Sequence, residues 1–419
     1  MRASERHGWG HGARRKRKGE WMSRKLMLLI ALLSAFALVA AACGGDGDEP
    51  GPTGEGECTW VIGGMGAYSG PAAALGERIY EGTEKAVNEA NEAGDVPCTL
   101  EIQKEDSQGD PNQAPALADK LIENEELVFC SCPYFSGETL ATGAKFSQAG
   151  IAISGTGTNE TIDEQGYETW FRAVAPDNIQ GAVAAQYITE AAGASALAVV
   201  HDNQDYSKGL ADAVIENAGD ILVQNKAYVI DPEETDYSAV VAQINNANPD
   251  FVYYAGYYEE AGLLRKQLTE AGVNVPYMSD DGALDPGYAE GAGDAAEGTL
   301  WSCPCADPLK IEGAQDWVDQ MKEEYGENAP GTFAADMYDV TKIVIDGLKE
   351  LDGDEDIEEV RAHVVETFHN AEGVQGVAKS YGWEDNGEFQ GGPGDIWIYE
   401  WKGDGFESLG PAQELIEQG

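Results

Sequence analysis

The sequence predicts an α/β fold of two doubly wound parallel-sheet lobes placed in series along one chain. Three observations carry this. Short apolar runs alternate with stretches of helical periodicity from Cys58 onward. The alternation stops at Phe171–Gly181, "FRAVAPDNIQG", and then begins again. A chain of 419 residues is also too long for one ordinary core.

The first series opens with "CTWVIGGMGAYSG", a strand running into a glycine-rich loop. A helix follows over Gly76–Asp95, with Ile79, Thr83, Ala86, Val87 and Ala90 on one face. "CTLEIQKED" is a strand, "NQAPALADKLIEN" a helix, "LVFC" a strand, "TLATGAKFSQAG" a helix and "IAIS" a strand. In the second series "GAVAAQYITEAAG" is a helix, "ALAVVHD" a strand and "SKGLADAVIENAG" a helix. "VQNKAYVI" reads as a strand, "YSAVVAQINNANP" as a helix and "DFVYYAG" as a strand. "YEEAGLLRKQLTEAG" is a helix and "VPYMSDD" a strand. Repetition of this kind means a parallel sheet covered on both faces. Beyond it come "GTLWSCPC", a helix over Ala314–Tyr325, another after "GTFAADMYDV", and the strand-like "DIWIYEWKGDG". "WEDNGEF" carries the Asn-Gly signal of a tight turn. "DGDEDIEEV" begins like a calcium loop, but Ile357 stands at its glycine position, so it reads as a solvated acidic turn.

Charge narrows the partners. The chain carries 26 Lys+Arg against 75 Asp+Glu, a net −49. Residues 1–42 hold nine of the basic and two of the acidic residues, leaving 17 against 73, or −56, for the rest. Such a polyanion repels nucleic acid and anionic lipid. Apolar content of 42% and charged content of 24% are nonetheless globular values.

The beginning of the chain reads as a secretory leader. Arg24 and Lys25 precede the uncharged run Leu26–Ala42, small residues follow, and then Cys43. The run is short for a membrane span, which is the alternative reading. The basic stretch before it is foreign to such leaders, which points to Met22 as a start. "VAAAC" resembles a bacterial lipobox, whose cysteine is lipidated, with Ala40 in place of the usual Leu. Gly44–Glu57 has no apolar residue and is expected to act as a tether.

Six cysteines remain after Cys43, an even number that suggests disulfides outside the cytoplasm. Cys58 and Cys98 each open a strand and can bridge if the strands are parallel neighbours. For Cys130, Cys132, Cys303 and Cys305 the pairing is open. A bridge over one residue strains the backbone, so pairing between the two segments is expected, with a four-cysteine zinc site as the rival.

No catalytic set assembles. There is no Gly-x-Ser-x-Gly elbow and no P-loop, and "GGMGAYSG" lacks the dinucleotide spacing. Beyond the leader only His201, His363 and His369 remain, without metal-ligand spacing. The expected protein is a binder, not an enzyme, with no cofactor and no metal.

The order of motifs resembles the leucine/isoleucine/valine-binding family of ABC importers, the type I periplasmic solute-binding fold. "GAYSGPAAALG", "VVHDNQDYSKGLADAV", "DFVYYAGYYEEAGLLRKQLTEAG", "DMYDV" and "WEDNGEF" carry the likeness, from Cys58 to Gly405. The resemblance implies a ligand between the lobes, beyond the carboxyl ends of their strands. It also implies a three-crossing hinge near Ala175, Trp301 and Ile396. The first lobe is then 58–175 with 302–395, and the second 176–301 with 396–419.

Carried onto matching positions, it gives Ser136 and Thr158 as hydroxyl donors to a ligand carboxylate, with main-chain N–H groups near Gly137 and Thr156. Each hydroxyl could equally cap the following helix. Tyr206 and Tyr257 become walls, Asp281 the partner of an ammonium group, and Phe333 part of the side-chain pocket. Tyr253 and Tyr254 are expected in the core and Tyr258 in lobe packing. Leu75 replaces an aromatic common in the first loop, and "CSCPYFSG" looks longer than the family's loop. It adds Pro133, Tyr134 and Phe135 beside the carboxylate site.

The expectation is therefore a monomeric, lipid-anchored protein on the outer face of the cell membrane. It binds an amino acid and delivers it to ABC permease subunits. The alternatives are a ligand sensor of the same fold, or a binder of an amide, a urea or an aromatic acid.

Overall fold

The structure is a computed structural model that describes residues 58–418. The leader, the start at Met22, Cys43 and the Gly44–Glu57 tether lie outside the described residues.

Two sheets organise the chain. The first contains β1 (Thr59–Gly66), β2 (Thr99–Asp106), β3 (Leu127–Ser131), β4 (Ala152–Gly155) and β5 (Trp170–Arg172) in the order β2-β1-β3-β4-β5. Every pairing in it is parallel. Its connecting helices are α1 (Ala73–Ala93), α2 (Ala114–Ile122) and α3 (Ser136–Gln148).

After β5 the chain passes through α4 (Asp177–Gln186) into a second sheet. There β6 (Leu197–His201), β7 (Tyr228–Val229), β8 (Phe251–Ala255), β9 (Tyr277–Ser279) and β10 (Leu300–Cys303) run parallel. Helices α5 (Asp205–Ala218), α6 (Ser238–Ala247), α7 (Tyr258–Glu270) and α8 (Gly287–Ala292) link them. The chain leaves after β10 for α9 (Gln315–Tyr325), α10 (Ala334–Leu348) and α11 (Ile357–Asn370). A Cβ at Gly82 of α1 would collide with the Ala334 carbonyl, so α1 and α10 meet backbone to backbone. A small hairpin, β11 (Val374–Gln375) and β12 (Ser380–Tyr381), follows. The chain then returns to the second sheet as β13 (Trp397–Lys402) and β14 (Gly405–Pro411), antiparallel on the far side of β10, and ends in α12 (Ala412–Gln418). The full order is β14-β13-β10-β9-β8-β6-β7.

Residue choice explains the layers. β3, β6 and β8 are buried along their whole length, as strands covered on both faces must be. Tyr253 and Tyr254 are fully enclosed, one on each face of β8. The "WEDNGEF" turn closes at Asn386–Gly387, where Gly387 has φ +81° and bonds back to the Glu384 carbonyl.

Three element boundaries differ from expectation. The strand read over Val223–Ile230 shrinks to Tyr228–Val229, because Gln224, Asn225 and Lys226 interrupt it and it lies at the sheet edge. The helix read from Gly181 begins at Asp177, and its last turn widens into a π turn over Tyr187–Ala191. The acidic turn "DGDEDIEEV" is half helix: α11 begins at Ile357, hidden by its acids. Glu358 and Glu359 suit a helix N-terminus, while Val360, Val364 and Phe368 form its buried stripe.

Cys58 and Cys98 form a disulfide beside the paired starts of β1 and β2, with Cα atoms 4.8 Å apart. The other pairing corrects the expectation of bridges between segments. Cys130 bonds Cys132, and Cys303 bonds Cys305. Cys130 belongs to the first sheet and Cys303 to the second, and the two pairs are buried in different cores. With all four sulfurs in bridges, no thiolate remains for the rival zinc site.

Candidate functional site

All nine residues expected at a ligand site border one cavity. Apart from Phe333, its walls come from chain that follows the carboxyl end of a parallel strand of one sheet or the other, or from an adjoining helix.

On the first-sheet side, β3 leads through Tyr134 and Phe135 into α3, whose first residue is Ser136. The Ser136 hydroxyl accepts from the Asn159 N–H at 3.2 Å, so its own proton is free to donate. It stands at a helix N-terminus, where N–H groups and the dipole favour an anion. β4 leads into Thr156 and Thr158. Thr156 Oγ1 donates to the Tyr134 carbonyl at 2.7 Å and ties the two loops together. Thr158 Oγ1 is buried beside the Asp177 carboxylate, which it meets. The loops approach so closely that a Cβ at Gly155 would collide with the Pro133 carbonyl.

Arg172, fully buried at the end of β5, holds this loop in place. Its Nη1 bonds the carbonyls of Gly157 and Asn159, and its Nε meets Glu388 at 2.8 Å. Glu388 belongs to the "WEDNGEF" turn, which thereby reaches the site without touching the cavity.

On the second-sheet side, Tyr206 lies in the first turn of α5 and Tyr257 at the residue before α7. Tyr257 packs between Phe135 across the cavity, at 5.6 Å between ring centres, and Tyr206, at 5.5 Å. Tyr258 turns away and packs against Gly287. Asp281 follows β9. Its Oδ1 accepts from Gln180 Nε2 at 2.7 Å and from the Tyr206 hydroxyl at 3.0 Å. Its neighbour Asp280 points elsewhere, accepting the Gly256 N–H at 2.9 Å. Phe333, just before α10, completes the wall with its backbone in the left-handed region at φ +63°. That conformation is strained for a bulky residue and is kept where the surroundings demand it.

Tyr134 does more than line the cavity. Its ring fills the space a Cβ on Gly66 would occupy and lies edge-on to Tyr68 at 6.2 Å. This loop is thus wedged against β1.

Burial dominates the electrostatics. It raises the Asp281 carboxyl to about 6, that of Glu138 beneath α3 to about 8, and that of Asp339 in α10 to about 7. It also raises Asp280, helped by the neighbouring Asp281. A carboxyl raised on folding contributes stability at low pH that is lost as the pH climbs through its folded value. Asp106 is shifted the other way, by the Ser69 hydroxyl and main-chain N–H groups acting against burial, but it titrates below this range. Hence the melting temperature of the ligand-free protein should rise as the pH falls from about 8 to about 6, measured by calorimetry. A fall over that interval would contradict the burial of these acids.

Five contributors escaped the sequence. Ile79 was read only as an apolar-face residue of α1, and Leu75 only as a departure from the first loop. Gly282 must be small, because a Cβ would sit 2.7 Å from the Gly256 carbonyl. Gln180 and Arg172 act on cavity residues from behind, and nothing in their local sequence announces it.

Two parallel-sheet lobes with one cavity bordered by strand-end loops of both have the architecture of a type I periplasmic solute-binding protein. The chain belongs to the periplasmic binding protein family, whose profile matches residues 59–406. It is 30% identical to the Leu/Ile/Val-binding protein of Escherichia coli K12 over 348 residues, covering 81% of this chain and 90% of that one. Among solved structures it resembles the leucine-binding protein LivK of Thermotoga maritima, with a TM-score of 0.75 and 23% identity over 83% of this chain and 97% of the other. It resembles equally the isoleucine complex of LivJ from Streptococcus pneumoniae, with a TM-score of 0.75 and 22% identity over 84% and 100%.

Proposed function

We propose that this protein is the extracytoplasmic receptor of an ABC importer and binds an amino acid of the branched-chain class or a close relative in the cavity between its lobes. One observation carries the reading: hydroxyl and N–H donors line one wall and a carboxylate the other. A zwitterion needs this arrangement when both its charges leave water. The ligand carboxylate meets Ser136, Thr158 and the N–H groups at the start of α3, and its ammonium meets Asp281. Tyr206, Tyr257, Phe135, Tyr134, Phe333, Leu75 and Ile79 enclose the side chain. The lobes, 58–175 with 302–395 and 176–301 with 396–419, hinge near Ala175, Trp301 and Ile396 and close on the ligand. The closed form is presented to membrane permease subunits, and the protein acts as a binder rather than a catalyst. Titration calorimetry with L-leucine, L-isoleucine and L-valine tests this. Saturable one-to-one binding supports it, and no heat with any of the three defeats it.

The aromatic lining favours a second reading. Four rings, those of Tyr134, Phe135, Tyr206 and Tyr257, would also suit a flat acid or amide.

Lipidation at Cys43 places the receptor on the outer face of the membrane, with residues 44–57 as its tether. One acyl chain binds a membrane only marginally, so the fully acylated cysteine is needed. Cys43→Ala should move the protein from the membrane fraction to the soluble fraction with ligand affinity unchanged. Unaltered membrane retention would remove the lipoprotein reading.

A further inference from the structure

Two charged groups that do not line the cavity meet beside it. Arg78, in the second turn of α1, stands on the first-lobe side, and Asp285, between β9 and α8, on the second. Arg78 Nε lies 3.0 Å from Asp285 Oδ2, with only 19% and 2% of the two side chains exposed. Each half is held by chain on its own side. Arg78 Nη1 donates to the Asn328 carbonyl at 3.1 Å, and its stem runs so close to Gly331 that a Cβ there would sit 2.5 Å from Cδ. Asp285 Oδ1 accepts the Gly287 N–H at 2.7 Å, which leaves Oδ2 to the guanidinium. Next to Gly331, the Thr332 hydroxyl donates to the Leu284 carbonyl at 2.7 Å, a second tie between the same segments. The neighbours of the pair do line the cavity: Ile79 follows Arg78, and Asp281 and Gly282 lie just upstream of Asp285. Closing the two sides over one partner alone would bury an unpaired charge.

We propose that Arg78 and Asp285 form a latch between the lobes: positioning residues that touch no ligand and set its affinity and residence time by stabilising the closed arrangement. This rests on the hinged, amino-acid-binding reading above. Both halves are fixed in advance, so little side-chain freedom is lost when they meet. The latch favours the closed form alone, and whatever favours that form strengthens the apparent hold on the ligand. It engages after the ligand has entered, so it slows release more than it speeds capture.

A double-mutant cycle separates a latch from an ion pair that merely holds the fold. Wild type, Arg78→Met, Asp285→Asn and the double variant are titrated with L-leucine, and release is timed by stopped flow. Arg78→Met should lose roughly ten-fold or more in affinity, carried by faster release, because closure then buries the Asp285 carboxylate unpaired. Adding Asp285→Asn to it should recover about three-fold or more, since the stranded charge is gone. Asparagine still accepts the Gly287 N–H, so ligand-free Asp285→Asn should melt within about 2 °C of wild type. Wild-type affinity and release in Arg78→Met, or additive losses in the double variant, overturn the latch and leave the amino-acid reading standing. A larger fall in the melting of ligand-free Asp285→Asn makes the pair structural and overturns it as well. If wild type binds L-leucine and its radius of gyration in small-angle scattering does not shrink, the hinge fails and the latch with it. If wild type binds no L-leucine, the reading and the latch fall together.

Discussion

Asp281→Asn should weaken binding of L-leucine by roughly thirty-fold to several thousand-fold, because truncating one member of a buried ion pair costs about 2–5 kcal/mol. The variant keeps the size of the side chain and can still accept from Gln180 Nε2 and the Tyr206 hydroxyl, so the cavity keeps its shape. Only the countercharge is lost. Ser136→Ala removes one donor among several and should cost less, about 1–3 kcal/mol. The same logic gives wild type a pH dependence. Burial has raised the Asp281 carboxyl to about 6, and an ammonium binds only its ionised form. Affinity should be level above that value and fall about ten-fold per pH unit below it. Acidification would then stabilise the empty protein while weakening its hold on the ligand. If Asp281→Asn binds as tightly as wild type, the ligand carries no cation there. An aromatic acid, an amide or a urea becomes the better occupant.

Arg172→Met should be the most damaging substitution away from the cavity. The guanidinium has no exposure and ties the carbonyls of Gly157 and Asn159 to the Glu388 carboxylate of the "WEDNGEF" turn, while the Trp383 indole and Gly387 bond only its main chain. Removing one partner of such a pair leaves the other uncompensated, at a cost of about 3–5 kcal/mol. Methionine keeps most of the volume, so packing loss is small. The expected outcome is a lower melting temperature and weaker ligand binding, since Thr156–Thr158 loses its backing. Unchanged melting and binding would show that the loop needs no such tie.

The parallel-strand core was legible because β/α repetition leaves a period change at every element. "DFVYYAG" became a strand fully buried on both faces, and Tyr257 emerged where that strand meets the cavity. What the sequence hid had physical reasons. α11 begins with acids that look like solvent-facing turn, although they favour a helix N-terminus. The Cys130–Cys132 and Cys303–Cys305 bridges turned on which sheet holds each segment, and strain across one residue suggested the wrong answer. The nine cavity residues came from motif resemblance. Gln180 and Arg172 were invisible because their partners lie 101 and 216 residues away. Long-range hydrogen bonding leaves no periodic trace.

The central claim is that the cavity between the lobes holds a zwitterionic amino acid. Mass spectrometry of small molecules released from the purified protein by denaturation tests it most directly. The predicted result is an α-amino acid with an aliphatic side chain at up to one equivalent, depleted in the Asp281→Asn variant. Stoichiometric release of a compound without an ammonium group, retained equally by Asp281→Asn, would contradict it.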